Sequence, residues 1–254
     1  MCLALIALDA HRRVPLLIAA NRDEFHARAA APAHWWADGT LAGVDLEAGG
    51  TWFGVTRPGR WALVTNYREG VPRDPNAPSR GGLVTRALAE RTPPLACAAS
   101  IAADGARYHG YNLLLGEVAT AAYASNRASG ALVLGPGIHG LSNHLLDTPW
   151  PKVVHAKQRL AECLVPDSVD IESLFALLAD RTQAEPAALP ATDIAPEWER
   201  LLSSAFIVDE RYGTRCSTVL TIANDGNVRF VERSFDAKGR LTGEAAHEFA
   251  LSAA

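Results

Sequence analysis

The chain sets out its strand-like segments in blocks, and this pattern removes most folds before any single residue is weighed. Apolar runs at 2–8 and 14–20 flank the polar turn Asp9-Ala10-His11-Arg12-Arg13, which predicts an antiparallel hairpin. Thr51–Thr56 and Trp61–Asn66 flank Arg57-Pro58-Gly59-Arg60, a second hairpin signal. Strand-like runs return at 110–116, 119–125, 131–134 and 138–142. The last block holds 204–208, 215–223 and 227–234, with Asn224-Asp225-Gly226-Asn227 as its turn. Helical segments lie between the blocks in pairs, 80–91 with 94–103 and Trp150–Leu164 with Ile171–Arg181. Antiparallel blocks separated by helix pairs predict an α+β architecture and not alternating βαβ units. No repeat or linker divides residues 1–254, so a single domain is expected. The stretch around Trp35 and Trp36, the segment Arg68–Ser79 and the Ala/Pro-rich Gln183–Pro196 read as irregular, and the final Ala/Ser tail as frayed.

The net charge is −4 and no basic run stands out, so neither nucleic acid nor an anionic membrane surface is an expected partner. The first apolar run is short, has no basic segment ahead of it and meets Asp9, unlike a signal peptide or a membrane span. No membrane insertion and a cytoplasmic location are therefore expected. Cys97, Cys163 and Cys216 are far apart and form no C-x-x-C pair, which predicts reduced thiols and no metal site.

Chemistry is sought where polar residues interrupt strand ends. Cys2 follows Met1, and removal of Met1 would give one residue both a thiol and an α-amine able to take its proton. Asn21-Arg22-Asp23-Glu24 ends the second apolar run, and the hairpin returns that end to the start of the first. A carboxylate there can hold the Cys2 amine. Asn66 and Asn143 close two further runs, and neutral amides suit an oxyanion. Arg215 stands at the entrance to the run 215–223, where a guanidinium beside Cys2 would raise the thiolate fraction. On pattern alone each has a plainer reading: a solvated turn, a cap residue, an ordinary Arg–carboxylate pair.

Taken in order, these elements resemble the NRDE family, also called the transport and Golgi organisation protein 2 family. The motifs are Met1-Cys2, Asn21-Arg22-Asp23-Glu24, Gly50-Thr51-Trp52-Phe53-Gly54, Thr65-Asn66-Tyr67-Arg68, Gly140-Leu141-Ser142-Asn143 and Tyr212-Gly213-Thr214-Arg215. That family is similar to the N-terminal-nucleophile (Ntn) hydrolases of the choloylglycine and penicillin V acylase branch. The resemblance implies a four-layer αββα sandwich with a mature N-terminal cysteine as nucleophile. It places Asp23 at the branch's aspartate, Asn66-Tyr67 and Asn143 at its oxyanion segments, and Arg215 at its late arginine. Aligning the aspartate puts Ala20 where the branch has its first arginine, with Arg22 two positions further on.

Two functions follow as expectations. The first is a cysteine hydrolase or acyl transferase acting on a small amide or acyl compound. Cys2, Asp23, Asn66, Asn143 and Arg215 would be its catalytic residues, with Arg22, Trp35, Tyr67 and His144 on the substrate side, and it would need no cofactor. The second is a non-enzymatic carrier of haem, or of lipid or acyl-CoA. Cys2, His26, His34, His139 and His144 would be its candidate haem ligands, although the sequence has no Cys-Pro or C-x-x-C-H signal.

Overall fold

A computed structural model describes residues 2–70 and 74–252. Strands β1 (Cys2–Leu8) and β2 (Leu16–Phe25) form the predicted hairpin. They join β10 (Gly137–Leu141), β11 (Tyr212–Ile222), β12 (Asn227–Phe235) and β13 (Leu241–Ala250) in a six-stranded antiparallel sheet of order β10-β1-β2-β11-β12-β13. The second sheet has the order β3-β4-β5-β6-β7-β8-β9. Its strands are β3 (Ala30–Trp35), β4 (Thr40–Asp45), β5 (Phe53–Thr56), β6 (Trp61–Asn66), β7 (Tyr111–Glu117), β8 (Thr120–Ser125) and β9 (Ala131–Val133).

The period of two in each strand sorts its side chains between two cores. In β1 and β2, Ala4, Ile6, Leu8, Leu16 and Ile18 face the second sheet and meet Leu41, Phe53 and Trp61 in a central core. Their alternates Leu3, Leu5, Leu17 and Ala19 face outward beneath helices α3 (Pro151–Cys163) and α4 (Ile171–Leu178). The outer face of the second sheet carries α1 (Gly81–Ala89) and α2 (Pro94–Ala103) over Ala62, Leu113 and Leu115. The order helix, sheet, sheet, helix is the expected αββα sandwich.

Three expectations are corrected. The stretch around Trp35 contains β3 and β4; β3 is an edge strand, which is where a strand tolerates Pro32. The run 204–208 is no strand, and its Phe206 and Ile207 are buried in a loop. The loop expected over Gln183–Pro196 is present, with one 3-10 turn at Pro186–Ala188, and a short helix, α5 (Pro196–Leu201), follows it. Beyond residue 234 the chain forms β13, a mostly exposed edge strand with no apolar alternation to reveal it. No helix among the described residues is long and apolar enough to cross a membrane.

Candidate active site

Register assembles the site. Cys2 on β1 pairs with Arg22 on β2, and Arg22 pairs with Cys216 on β11, so the three side chains form one row across the inner face of the sheet. The next rung of β2 pairs Asp23 with Thr214, and the irregularity between Thr214 and Cys216 takes Arg215 out of the row. Residues two apart on a strand share a face, so Arg22 occupies the same side as Ala20 and faces the sulfur.

Cys2 is half-buried on the wall of a cavity of about 280 Å³, shared with Arg22, Asp23, Thr51, Trp52 and Asn66. Burial pushes its thiol above the ordinary value and the Asp23 carboxylate adds to this, while the Asp23 backbone N–H on the sulfur and the Arg22 guanidinium act in the opposite direction. The resting sulfur is therefore a thiol that needs a base. Arg22 is 6 % exposed, lies 4.3 Å over the Trp52 ring and stands 3.8 Å from Asp45. That carboxylate is held more tightly by Arg28, at 2.7 Å.

Asp23 lies on the helix-facing side. Thr214 Oγ1 donates to its carboxylate at 2.6 Å and in turn accepts the Ile207 N–H, while Tyr212 donates to the Asp23 carbonyl. Burial raises the Asp23 carboxyl, and Lys152 and Thr214 oppose that shift. Lys152 was missed by the sequence reading. It is buried at the start of α3, donates to the Leu202 carbonyl at 2.9 Å, and burial lowers its ammonium to about 8 against the attraction of Asp23 and Cys2. A lysine in the first turn of a helix reads as a surface group, and only the fold brings the Leu202 carbonyl, just past α5, to its ammonium.

The two asparagines take different places. The Asn66 side chain lines the cavity, and among the described residues no hydrogen bond holds its amide. Asn143 is fully buried and absent from the cavity wall; its Nδ2 donates to the Asn66 carbonyl at 2.9 Å. Ser142 Oγ bridges the Asn143 Oδ1 and the Cys2 carbonyl, so this segment ties Asn66 to β1.

Three expected placements are corrected. Arg215 turns away from Cys2: its Nη1 donates to the carbonyls of Phe25, His26 and Arg28 at 3.1 Å each, closing the exit of β2. Arg22 holds the position beside the sulfur instead. Trp35 packs under Arg57 and Phe249 by the β5–β6 turn, at the far end of β6 from Asn66; the indole at the cavity is Trp52. Tyr67 and His144 stack on each other at 5.0 Å, and His144 on Trp150, outside the cavity wall. Of the histidines considered as haem ligands, His26 contacts the Asp209 carbonyl, His34 the Pro32 carbonyl, His139 Asp147 and His144 Thr148. They are dispersed, and the histidine at the cavity is His109.

Asp74, Pro75 and Ala77–Ser79, from the segment read as a loop, line the cavity with Arg80 and Gly81 of the helix start; residues 71–73 lie outside the described residues, as does Met1. Gly50 and Gly81 make the closure possible, since a β-carbon on Gly50 would stand 2.7 Å from the Gly81 carbonyl carbon. Glu24 and Arg80 add charge to the wall. Burial works against the Glu24 carboxylate, yet the Phe25 N–H, Arg22 and Arg28 hold it below its usual range.

A family model described as Transport and Golgi organisation 2 matches residues 1–237. The chain belongs to this family. Among its relatives, the bovine Transport and Golgi organization protein 2 homolog is 37% identical, with 93% of this chain and 92% of the relative covered. The Drosophila melanogaster Transport and Golgi organization protein 2 is 29% identical, with 92% of each chain covered. Among solved structures, the mutant C2A conjugated bile acid hydrolase from Clostridium perfringens superposes with a TM-score of 0.53. That match covers 99% of this chain and 92% of the other at 8% identity, a likeness of fold alone. This family member thus has the Ntn-hydrolase fold.

Proposed function

We propose that the protein is an N-terminal-cysteine hydrolase acting on a small, polar amide or acyl compound. The observation that carries this reading is the Cys2 thiol set opposite Arg22 on the wall of a charged cavity that also receives the unheld Asn66 amide. The cavity is small, and its wall sets Arg22, Asp23, Glu24 and Arg80 beside Trp52 and Val64, which suits a small, polar substrate.

Removal of Met1 would leave the α-amine on the residue that bears the sulfur, beside Asp23. The amine takes the thiol proton as the sulfur attacks the carbonyl carbon, forming the C–S bond and a tetrahedral oxyanion. The Asn66 amide faces that oxygen, and Asn143 acts through Asn66 as a positioning residue. The ammonium then returns the proton to the departing nitrogen as the C–N bond breaks. Water, deprotonated by the same amine, hydrolyses the thioester. Asp23 orients the amine, with Thr214 and Lys152 keeping that carboxylate ionised against burial. Arg22 supports the anionic sulfur.

Intact mass before and after treatment with a small electrophilic acylating probe tests this reading. Loss of Met1 and one adduct, mapped to Cys2, are expected. Quantitative retention of Met1 in protein that still turns over a small amide would end the mechanism.

A further inference from the structure

A second cavity, of about 230 Å³, lies behind Arg22 and shares Arg22 and Trp52 with the Cys2 cavity. Its wall also carries Arg215, Cys216, Glu232 and Ser234. Three of these residues contribute buried N–H donors with no hydrogen-bond partner among the described residues: Arg22 Nη1, Trp52 Nε1 and Arg215 Nε. Buried donors are ordinarily satisfied, and three orphans around one cavity need a common acceptor.

No side chain among the described residues supplies it. Glu232 is the buried carboxylate on this wall, yet its oxygens accept the Ala33 N–H at 2.8 Å and the Thr218 hydroxyl at 3.2 Å, with Cys216 against it. Asp45 is committed to Arg28. Arg215 has no ion pair among the described residues, and Arg22 and Arg215 repel one another. Two guanidiniums on one cavity wall, Arg22 at 3.8 Å from a carboxylate that Arg28 holds more closely and Arg215 without an ion pair among the described residues, make a site for an anion. The planar N–H edges of guanidinium groups match a pair of oxygens. The Glu232 carboxyl on the same wall, though pushed up by burial, disfavours a second charge on the ligand.

We propose that this cavity binds a small singly charged oxyanion, a carboxylate group, between the Arg22 and Arg215 guanidiniums and the Trp52 indole N–H. Arg22 would then join two sites, facing the Cys2 sulfur on one side and the bound carboxylate on the other.

The experiment uses the full chain with Cys2→Ala, so its result does not depend on Cys2 being a nucleophile. The indole N–H resonance of Trp52, assigned by its loss in Trp52→Phe, is followed while acetate replaces chloride at constant ionic strength. A saturable shift is expected. Arg22→Gln and Ser234→Asp should each weaken acetate binding about tenfold or more while other indole resonances stay in place. Inorganic phosphate, carrying more charge, should bind more weakly than acetate. A shift that grows linearly without saturation, or the same affinity in both variants, overturns the site. N-acetylglycine separates two sources of the carboxylate. Tighter binding than acetate, with the Asn66 side-chain amide also shifted, supports the carboxylate end of a molecule lying at Cys2. Equal binding with Trp52 shifted alone supports a free carboxylate held beside the reaction centre.

Discussion

Asn21 and Arg22 are neighbours on β2, both at least nine-tenths buried, and the fold treats them in opposite ways. Asn21 faces the helices, where its Nδ2 donates to the carbonyls of Leu178 and Ala205 at 2.8 Å and its Oδ1 accepts from Ser217 at 2.6 Å. It fastens α4 and the loop at Ala205 to the sheet. Arg22 faces the other way, next to the sulfur, with a buried nitrogen that nothing among the described residues satisfies. Burial therefore does not separate scaffold from site here; hydrogen-bond satisfaction does. Of this pair, the buried and saturated group holds the fold, and the buried and unsaturated one is held by the fold for something else.

The comparison can be broken most decisively at Cys2. On any amide that the protein turns over, Cys2→Ala should lower kcat on the order of 10⁴-fold, as expected for loss of a nucleophile. Its melting temperature should stay within about 2 °C of the parent, since the thiol is half-buried and contributes little packing. Retained turnover would transfer the chemistry elsewhere and leave Arg22 without a sulfur to serve.

Arg22→Met comes next. Turnover should fall about 10²- to 10³-fold, the scale of one preorganised electrostatic group. Stability should hold or rise, because methionine packs against Trp52 without a buried charge to solvate. A clear fall in melting temperature would make Arg22 a second fastening residue and erase the contrast with Asn21.

Asn21→Ala should show the reverse pattern. It strands two carbonyls and the Ser217 hydroxyl, for a cost of about 3 kcal/mol or more. In a chain of this size that lowers the melting temperature by roughly 6–12 °C by thermal denaturation. Turnover per folded molecule should stay within about threefold of the parent. A specific loss of turnover at full stability would show that Asn21 acts in the chemistry after all.

The contrast also marks what a sequence can disclose. The hairpin of 2–8 with 14–20 was legible from two apolar runs, and with it the meeting of Cys2 and Asp23, because register follows from a short turn. Asn66 was legible as a polar end on an apolar strand. Arg215 was misplaced because the irregularity before Cys216 is a tertiary accommodation that leaves no period-two signal, and it exchanges the expected roles of Arg215 and Arg22. Trp52 was hidden among six tryptophans, since only sheet order decides which indole reaches the site. Asn143 was read as an oxyanion donor, whereas its partner is a backbone carbonyl that no spacing reveals.

Lys152 gives the smallest effect and sharpens the comparison from the helix-facing side, where saturation and charge meet. Its ammonium donates to Leu202, as a fastening group does, yet burial lowers it from 10.5 to about 8, which marks a folded state that would accept the neutral form. Between those two values the unfolded chain binds a proton that the folded chain has released, so stability rises with pH across about 8 to 10.5. Below pH 8 the cost of holding the charge is fully present. Denaturant unfolding of the parent and of Lys152→Met, compared at pH 7 and pH 10.5, should differ by up to about 3 kcal/mol in that rise, the variant being flatter. The same substitution removes the cation that helps keep Asp23 ionised, so the acidic limb of the turnover profile should move to higher pH. A flattened stability curve with an unmoved acidic limb would make Lys152 a buried fastening residue like Asn21. Movement of both would place it with Arg22, among the charges that the fold holds in place for Cys2.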